Sequence, residues 1–176
     1  MSAAHDPALP ELELLRSYRD EDELLERYLR KAAQGKAKLE ILEAGCGQRW
    51  LLDLTGIEHT LTGVDLDEAA LSYRKTVSKD LDEAIVGDLR DLQLGAGGFD
   101  VIYNSFVLEH IEDDRSTLRD FSAILPSGGK LALLVPAGPA IYGSLDVHLR
   151  HYRRYAKDAL RKLVEESGFI IDDMRF

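Results

Sequence analysis

The sequence predicts an α/β domain with a doubly wound, mostly parallel sheet that carries helices on both faces. Short apolar segments alternate with segments of helical period along most of the chain, and residues 130–135 are apolar on both faces of their predicted strand. A turn with two glycines follows the first predicted strand. Parallel strands need helical crossovers, and such sheets bind ligands at the carboxyl ends of their strands. Functional residues are therefore expected at the ends of the first four strands.

Composition predicts one acidic domain over residues 1–176. With 22 basic and 32 acidic side chains, the formal charge at pH 7 is −10. This charge argues against nucleic acid as the main partner, because phosphate backbones are bound by clustered Lys and Arg. One cysteine allows no internal disulfide, and the start of the chain lacks the pattern of a signal peptide. The apolar stretch 131–137 is too short to span a bilayer, so we expect a cytoplasmic protein without an integral membrane segment.

The first 36 residues are predicted to form a helical cover or lid over a core of residues 37–176. A helical pattern covers residues 11–34, in which Asp20 can cap a helix with Glu23 and Gly35 ends it. Charged residues 19–23 interrupt the apolar face, which indicates a kink or two short helices. The apolar positions of the second half are Leu24, Leu25, Tyr28, Leu29 and Ala32.

Strands are predicted at residues 39–44, 60–64, 83–86, 99–103 and 130–135, with a sixth from about 169 towards 176. Helices are predicted at residues 68–77 and at 156–167. A further helix is predicted after the fourth strand, with Leu118, Phe121 and Leu125 on one face, and it ends before Pro126. The fifth strand is expected in the centre of the sheet because it is apolar on both faces.

Three predicted strands each end with a carboxylate. Glu43 stands before the turn of Gly45 and Gly47, and Asp65 follows Gly45 by 20 residues at the end of the second strand. Asp88 ends the third strand. Glycines allow close approach of a ligand to the backbone, and an acid at the position of Asp65 can accept both hydroxyls of a ribose. Taken alone, Asp65 could instead cap a helix, although Asp67 is better placed for that role, and Asp88 could be a turn residue.

Five segments in order strongly resemble the class I S-adenosylmethionine-dependent methyltransferases, and the resemblance covers residues 38 to about 170. The segments are ILEAGCG (41–47), GVDLD (63–67), GDLRDL (87–92), FDVIYNSFVLEHIED (99–113) and LPSGGKLALLVPA (125–137). The resemblance implies a Rossmann-like methyltransferase fold, S-adenosyl-L-methionine as cofactor and an acceptor that is a small molecule or is linked to lipid or glycan.

The resemblance also implies roles for residues at the strand ends. Glu43 would position the methionine end of the cofactor, with Gly45, Cys46 and Gly47 passing beneath it. Asp65, with Leu66 beside it, would hold the ribose, Asp88 and Leu89 would face the adenine, and Asn104 and Phe106 would flank the sulfonium. Many family members have a third glycine where this chain has Arg49, which could approach the carboxylate of the cofactor.

Two other functions fit parts of this pattern. A non-catalytic module could bind S-adenosylmethionine for regulation. A nicotinamide-dependent oxidoreductase is disfavoured, because its Gly-x-Gly-x-x-Gly fingerprint meets Trp50 at the last glycine and Glu43 would repel a phosphate.

The acceptor is expected to meet residues that follow the fourth and fifth strands. His110 is the candidate general base, although a neutral, hydrogen-bonded histidine is the more common role. Tyr142, His148, His151 and Tyr152 would line the acceptor pocket, and the arginines of the basic stretch 148–155 favour an anionic acceptor. His148 and His151 could share a helical face, but no Cys or carboxylate at ligand spacing joins them, so no metal is predicted.

The resemblance makes the strand count informative, since a sheet of this family has seven strands. The count within residues 1–176 ends at a sixth strand. The seventh strand is therefore expected to be missing. We expect either a piece of a longer chain or a sheet edge that a partner covers, for which a second copy of the chain is one candidate.

Overall fold

The computed structural model describes residues 22–50, 52–92 and 94–175, and within them the elements follow the predicted alternation of strand and helix. The predicted segment before residue 22, with the Asp20 cap and the expected kink, lies outside the described residues. The strands are β1 (Leu39–Ala44), β2 (His59–Asp65), β3 (Glu83–Val86), β4 (Val101–Ser105) and β5 (Lys130–Leu134). The α-helices are α1 (residues 22–32), α2 (Glu68–Tyr73), α3 (Asp114–Ile124), α4 (Ser144–His148) and α5 (Lys157–Glu166). A π-helix, Arg74–Ser78, continues α2, and short 3₁₀ turns lie at Leu89–Asp91, Leu108–His110 and Pro139–Ile141.

The five strands form one parallel sheet in the order β3-β2-β1-β4-β5. From β1 the chain first builds outward through β2 and β3, then crosses to the other side of β1 to form β4 and β5. The strand order therefore reverses between β1 and β4, which is where open parallel sheets bind ligands.

Helices cover the sheet on both faces, as the alternation predicts. Alternate strand residues point to opposite faces. Leu42 and Ile102 belong to a core cluster with Phe121 of α3 and Leu160 of α5. Ile41, Leu61 and Val101 belong to a second cluster with Leu25 and Leu29 of α1 and Leu71 of α2. The described part of the predicted N-terminal cover is thus packed on the sheet through α1.

The position of β5 was predicted wrongly. It is an edge strand and pairs only with β4 among the described residues, and its side chains are partly buried or exposed. Leu131 and Leu133 pack on one core cluster, whereas Ala132 and Leu134 pack on the other. The strand is apolar on both faces because helices cover both sides of the sheet, and this cover extends to the edge.

The predicted sixth strand is also absent from the described residues. Residues 169–175 form coil and bend, although Phe169, Ile171 and Met174 still pack against the first core cluster. The Phe169 N–H is used in the C-terminal turn of α5, where it donates to the Val164 carbonyl. Asp172 binds Lys130 at the start of β5 through its side chain at 2.6 Å. The segment therefore lies beside β5 through side chains rather than through a backbone ladder.

None of the helices in the described part of the chain has the length and apolar character that a membrane span requires.

Candidate active site

The glycine turn, Gly45 to Gly47, lies where the strand order reverses. Gly45 has φ +81°, and a Cβ at this position would lie 2.4 Å from the Val107 side chain, so only glycine fits. Its N–H and that of Cys46 both donate to the Val64 carbonyl, at 2.8 and 3.1 Å. A Cβ on Gly47 would meet nothing within 4 Å. The turn is therefore tied to β2 at its start and faces open space at Gly47.

Asp65 connects the glycine turn with the end of β2. Its Oδ2 accepts from the Gly47 N–H at 2.8 Å, and its Oδ1 accepts from the Asp67 N–H at 2.9 Å. Asp67 caps α2 by accepting from the N–H groups of Ala69 and Ala70. The cap is therefore filled by Asp67, and the Asp65 carboxylate, which can accept about four hydrogen bonds, keeps capacity for a ligand.

Glu43 lies beneath this turn and is hydrogen-bonded to Arg74. Glu43 is 6% exposed and Arg74 is fully buried. Arg74 Nη1 donates to Glu43 Oε2 at 2.7 Å and to the Cys46 carbonyl at 2.9 Å, while its Nε donates to Asp80 Oδ1 at 3.0 Å. Burial raises the pKa of Glu43 to about 8, against the opposing effect of the Arg74 charge. Sequence reasoning missed Arg74, although it follows the buried Leu71 of α2 by three residues and so lies on the same inward side where the π-helix continues α2.

Cys46 has a structural environment rather than a nucleophilic one. Its side chain is buried, and a Cβ on Gly63 of β2 would lie 2.9 Å from its Sγ. Burial, followed by the charge of Glu43, raises the pKa of the Cys46 thiol to about 12. The thiolate is therefore not populated near neutral pH.

Asp88 stands after β3 as predicted, but its carboxylate already has a partner. It accepts from the backbone N–H and from Nε of Arg90, both at 2.9 Å, and these bonds lower the pKa of Asp88. Leu89 is buried, whereas Leu66 after β2 is 68% exposed and open to a ligand. Sequence reasoning missed Arg90, which must share Asp88 with any ligand that binds there.

Asn104 lies near the end of β4, and Phe106 directly follows this strand, next to the place where the strand order reverses. Asn104 is fully buried and its Nδ2 donates to the Ala44 carbonyl at 2.8 Å. Its Oδ1 has no hydrogen-bond partner among the described residues. Phe106 has φ +53° and is 41% exposed, and such left-handed backbone at a bulky residue occurs mainly at functional sites. The side-chain amide of Asn104 is therefore anchored to the end of β1 through Nδ2, and its buried Oδ1 remains able to accept a hydrogen bond.

A cavity of about 510 Å³ lies among the segments that follow β4 and β5. It is lined by His110, Tyr142, Val147, Leu149, Arg150, His151 and Tyr152. Three of the four residues predicted to contact the acceptor, Tyr142, His151 and Tyr152, line this cavity. The fourth, His148, is exposed at the end of α4 and does not line it. The Tyr152 N–H donates to the Glu109 carbonyl at 2.8 Å, which holds the segment after β5 against the segment after β4.

Buried acids lie behind this cavity. Asp146 is fully buried and accepts from the Gly143 N–H at 2.9 Å, from Arg154 Nε at 2.7 Å and from His151 Nδ1 at 2.9 Å. Glu109 is also fully buried, and neither of its carboxylate oxygens has a hydrogen-bond partner among the described residues. Sequence reasoning named neither acid as a site residue, although Glu109 stands directly before the candidate base His110.

Comparison with known proteins identifies methyltransferases among the relatives of this chain. Residues 15–173 match the family model described as "Methyltransferase domain". A Mycobacterium tuberculosis protein named "Probable S-adenosylmethionine-dependent methyltransferase" is 28% identical over 146 residues, which cover 81% of this chain and 53% of that protein. The ubiquinone biosynthesis O-methyltransferase of Nitrosococcus oceani is 33% identical over 111 residues, which cover 59% of this chain and 46% of that protein. The chain spans about half the length of these curated relatives.

Solved structures agree at the level of the fold. An S-adenosylmethionine-dependent methyltransferase from Mesorhizobium loti gives a TM-score of 0.62 at 20% identity, over 87% of this chain and 83% of that one. Phosphoethanolamine N-methyltransferase 2 from Haemonchus contortus, in complex with S-adenosyl-L-methionine, gives 0.65 at 17% identity, over 81% of this chain and 35% of that one.

Proposed function

Because the chain belongs to the methyltransferase-domain family, we propose that it transfers a methyl group from S-adenosylmethionine to a small-molecule or lipid- or glycan-linked acceptor. One observation carries this proposal: the glycine turn, the Asp65 carboxylate and the unpartnered Oδ1 of Asn104 all lie at the ends of β1, β2 and β4, where the strand order reverses. When bound, the cofactor would supply an electrophilic methyl group on a sulfonium cation: a nucleophilic acceptor atom would bond to the methyl carbon in line with the C–S bond, which breaks to release S-adenosylhomocysteine.

The residues at the strand ends fit the chemistry of this cofactor. The free Oδ1 of Asn104 would accept from its ammonium group, and the remaining lone pairs of Asp65 would accept from the ribose hydroxyls. The exposed side chain of Leu66 offers an apolar surface for the adenine. The full proposed set is Glu43, Gly45, Cys46, Gly47, Asp65, Leu66, Asp88, Leu89, Asn104 and Phe106.

The acceptor would bind in the 510 Å³ cavity, with an apolar body and an anionic group. Val147 and Leu149 provide apolar walls. Arg153 pairs with Asp114 at 2.6 Å and Arg154 pairs with Asp146 at 2.7 Å, so both charges are already neutralised. Arg150 lines the cavity and has no ion pair among the described residues, so it is the residue we expect to bind the anion.

Calorimetry with S-adenosylhomocysteine and NAD tests the cofactor assignment. We expect the wild type to bind S-adenosylhomocysteine and not NAD. Asp65→Asn should weaken S-adenosylhomocysteine binding about 10- to 100-fold, because hydrogen bonds to a charged group contribute about 1.5–3 kcal/mol. Asp67→Asn is the matched control and should bind normally, since asparagine also caps helices. Binding of NAD without S-adenosylhomocysteine would overturn the assignment in favour of an oxidoreductase.

Turnover separates an enzyme from a non-catalytic module. S-adenosylmethionine with a radiolabelled methyl group, offered with a panel of anionic and lipid- or glycan-linked acceptors, should yield a labelled product. Tight cofactor binding without transfer to any acceptor would favour the regulatory module.

A further inference from the structure

We propose that Glu109, His110 and His151 form a binding site for a divalent cation, with Zn²⁺ as the best match. We refer to these three residues as the Glu109 cluster. One ligand atom from each residue lies within 4.8 Å of the other two. The 3₁₀ turn after β4 supplies the first two residues, and the loop after α4 supplies the third.

The Glu109 carboxylate is the first reason for this proposal. It is fully buried, and both of its oxygens lack a hydrogen-bond partner among the described residues. A buried carboxylate without partners is costly, and most buried polar groups are satisfied by protein, by water or by an ion. A cation held by Glu109 and its two histidine neighbours would satisfy this group.

The orientation of His151 is the second reason. Its Nδ1 lies 2.9 Å from Asp146 Oδ1, and Asp146 is fixed by the Gly143 N–H and by Arg154. With Nδ1 turned towards this carboxylate, Nε2 is the nitrogen of His151 that can bind a cation. Metal-binding histidines are commonly oriented by a carboxylate in this way.

His110 completes the ligand set. Its ring centroid lies 4.6 Å from that of His151, and the two rings are nearly perpendicular. The His110 side chain is exposed on the side that faces the cavity, where it stands beside His151.

Two histidines and one carboxylate are a known ligand set of catalytic zinc, which leaves one coordination position open. A tetrahedral ion with bonds of about 2.0–2.2 Å holds its ligand atoms roughly 3.4 Å apart. Closing the cluster around Zn²⁺ thus needs movements of little more than an ångström. His110 and His151 also line the acceptor cavity, so the open position faces it. This last step rests on the proposed function, since it makes an acceptor atom the fourth ligand.

Zn²⁺ binding to chelator-treated protein tests the site directly. Calorimetry should show one equivalent of Zn²⁺ bound at neutral pH, and Co²⁺ should give the visible absorption bands of a tetrahedral site. Glu109→Gln and His110→Ala should each weaken Zn²⁺ binding at least about 10-fold and remove the Co²⁺ bands. His110 is exposed, so its variant does not depend on repacking a buried position.

The control is His148→Ala, which removes an exposed histidine from the same surface and should bind Zn²⁺ like the wild type. The cation site is overturned if the wild type does not bind one equivalent of Zn²⁺. It is also overturned if Glu109→Gln and His110→Ala bind Zn²⁺ as tightly as the wild type does. S-adenosylhomocysteine binding is measured on the same samples. A wild-type protein that binds S-adenosylhomocysteine but not Zn²⁺ rejects the cation site alone, and one that binds Zn²⁺ but not S-adenosylhomocysteine rejects only the cofactor assignment.

Discussion

Arg74 shows how one buried side chain organises the candidate cofactor site. Its guanidinium donates to Glu43 of β1, to the carbonyl of Cys46 in the glycine turn and to Asp80 after the π-helix. It is the first residue of that π-helix, and such segments often lie at functional sites. The end of β1, the glycine turn and the segment before β3 are thus held in place by one residue.

Arg74→Met should therefore destabilise the fold strongly. The substitution keeps a long side chain but removes every donor, so Glu43, Asp80 and the Cys46 carbonyl all lose a bond. Breaking a buried pair on one side costs on the order of 3–5 kcal/mol. Urea unfolding measures this loss.

Arg161→Met is the matched control, because within the described part of the chain the ion pair of Arg161 is an exposed one with Glu165 on α5 at 4.0 Å, and its loss should change stability little. The double variant Glu43→Gln with Arg74→Met should recover part of the loss. An Arg74→Met protein as stable as Arg161→Met would show that the buried network contributes nothing to stability.

At the scale of elements, the segment between β5 and α5 carries most of the candidate acceptor cavity. It contains α4 and a 3₁₀ turn and is fixed through Asp146 and through the Tyr152–Glu109 backbone bond. Several of its large apolar side chains are exposed, among them Ile141, Leu145, Val147 and Leu149. This surface, with Arg150 beside it, suits an acceptor that is partly apolar and partly anionic.

Arg150→Ala should raise the KM for an anionic acceptor about 10- to 100-fold with little change in kcat, because a charge-assisted bond to the acceptor is lost. Affinity for S-adenosylhomocysteine should stay the same. Steady-state kinetics with the acceptor found in the panel gives both constants. Arg161→Ala, on the exposed face of α5, is the control. A change confined to kcat would contradict a role of Arg150 in acceptor binding.

At the scale of the whole molecule, the balance of acidic groups makes stability depend on pH in two directions. Burial raises the pKa of Glu43 to about 8 from its ordinary value of 4.5. The native state therefore holds more protons than the unfolded chain between these values, and the free energy of unfolding falls as pH rises through this range. Burial alone would raise the pKa of Asp100, but the Glu40 N–H and Lys36 hold it below its ordinary 3.8, so its contribution is lost as pH falls below that value.

We therefore expect maximum stability near about pH 4, between the ordinary pKa values of Asp100 (3.8) and Glu43 (4.5). Urea unfolding across a pH series should show a decline towards pH 8 on the order of 1 kcal/mol per pH unit at its steepest. Glu43→Gln removes the titrating group and should flatten this alkaline decline while leaving the acidic one. An equal slope in the variant would mean that another group causes it.

Local sequence patterns predicted the order and type of most elements. Alternating and helical apolar periods give β1, β3, α3 and α5 to within a few residues, because backbone geometry alone fixes these periods. The boundaries of β4 were predicted two residues early, and the helix predicted at 68–77 changes to a π-helix at Arg74. The sequence could also place Asp65 and Asn104 at strand ends, since each directly follows or ends an apolar run.

The sequence by itself determined the family, the strand-and-helix alternation and the acids at the strand ends, because these are written in contiguous residues. Only the tertiary structure decided which distant residues meet: Glu43 with Arg74, and Glu109 and His110 with His151, 41 residues beyond His110 in the chain. It also decided that β5 is an edge strand and that residues 169–175 form no strand. The physical reason is that strand pairing and side-chain burial depend on contacts between residues that are distant in the chain. Such contacts produce no periodic pattern in the local sequence.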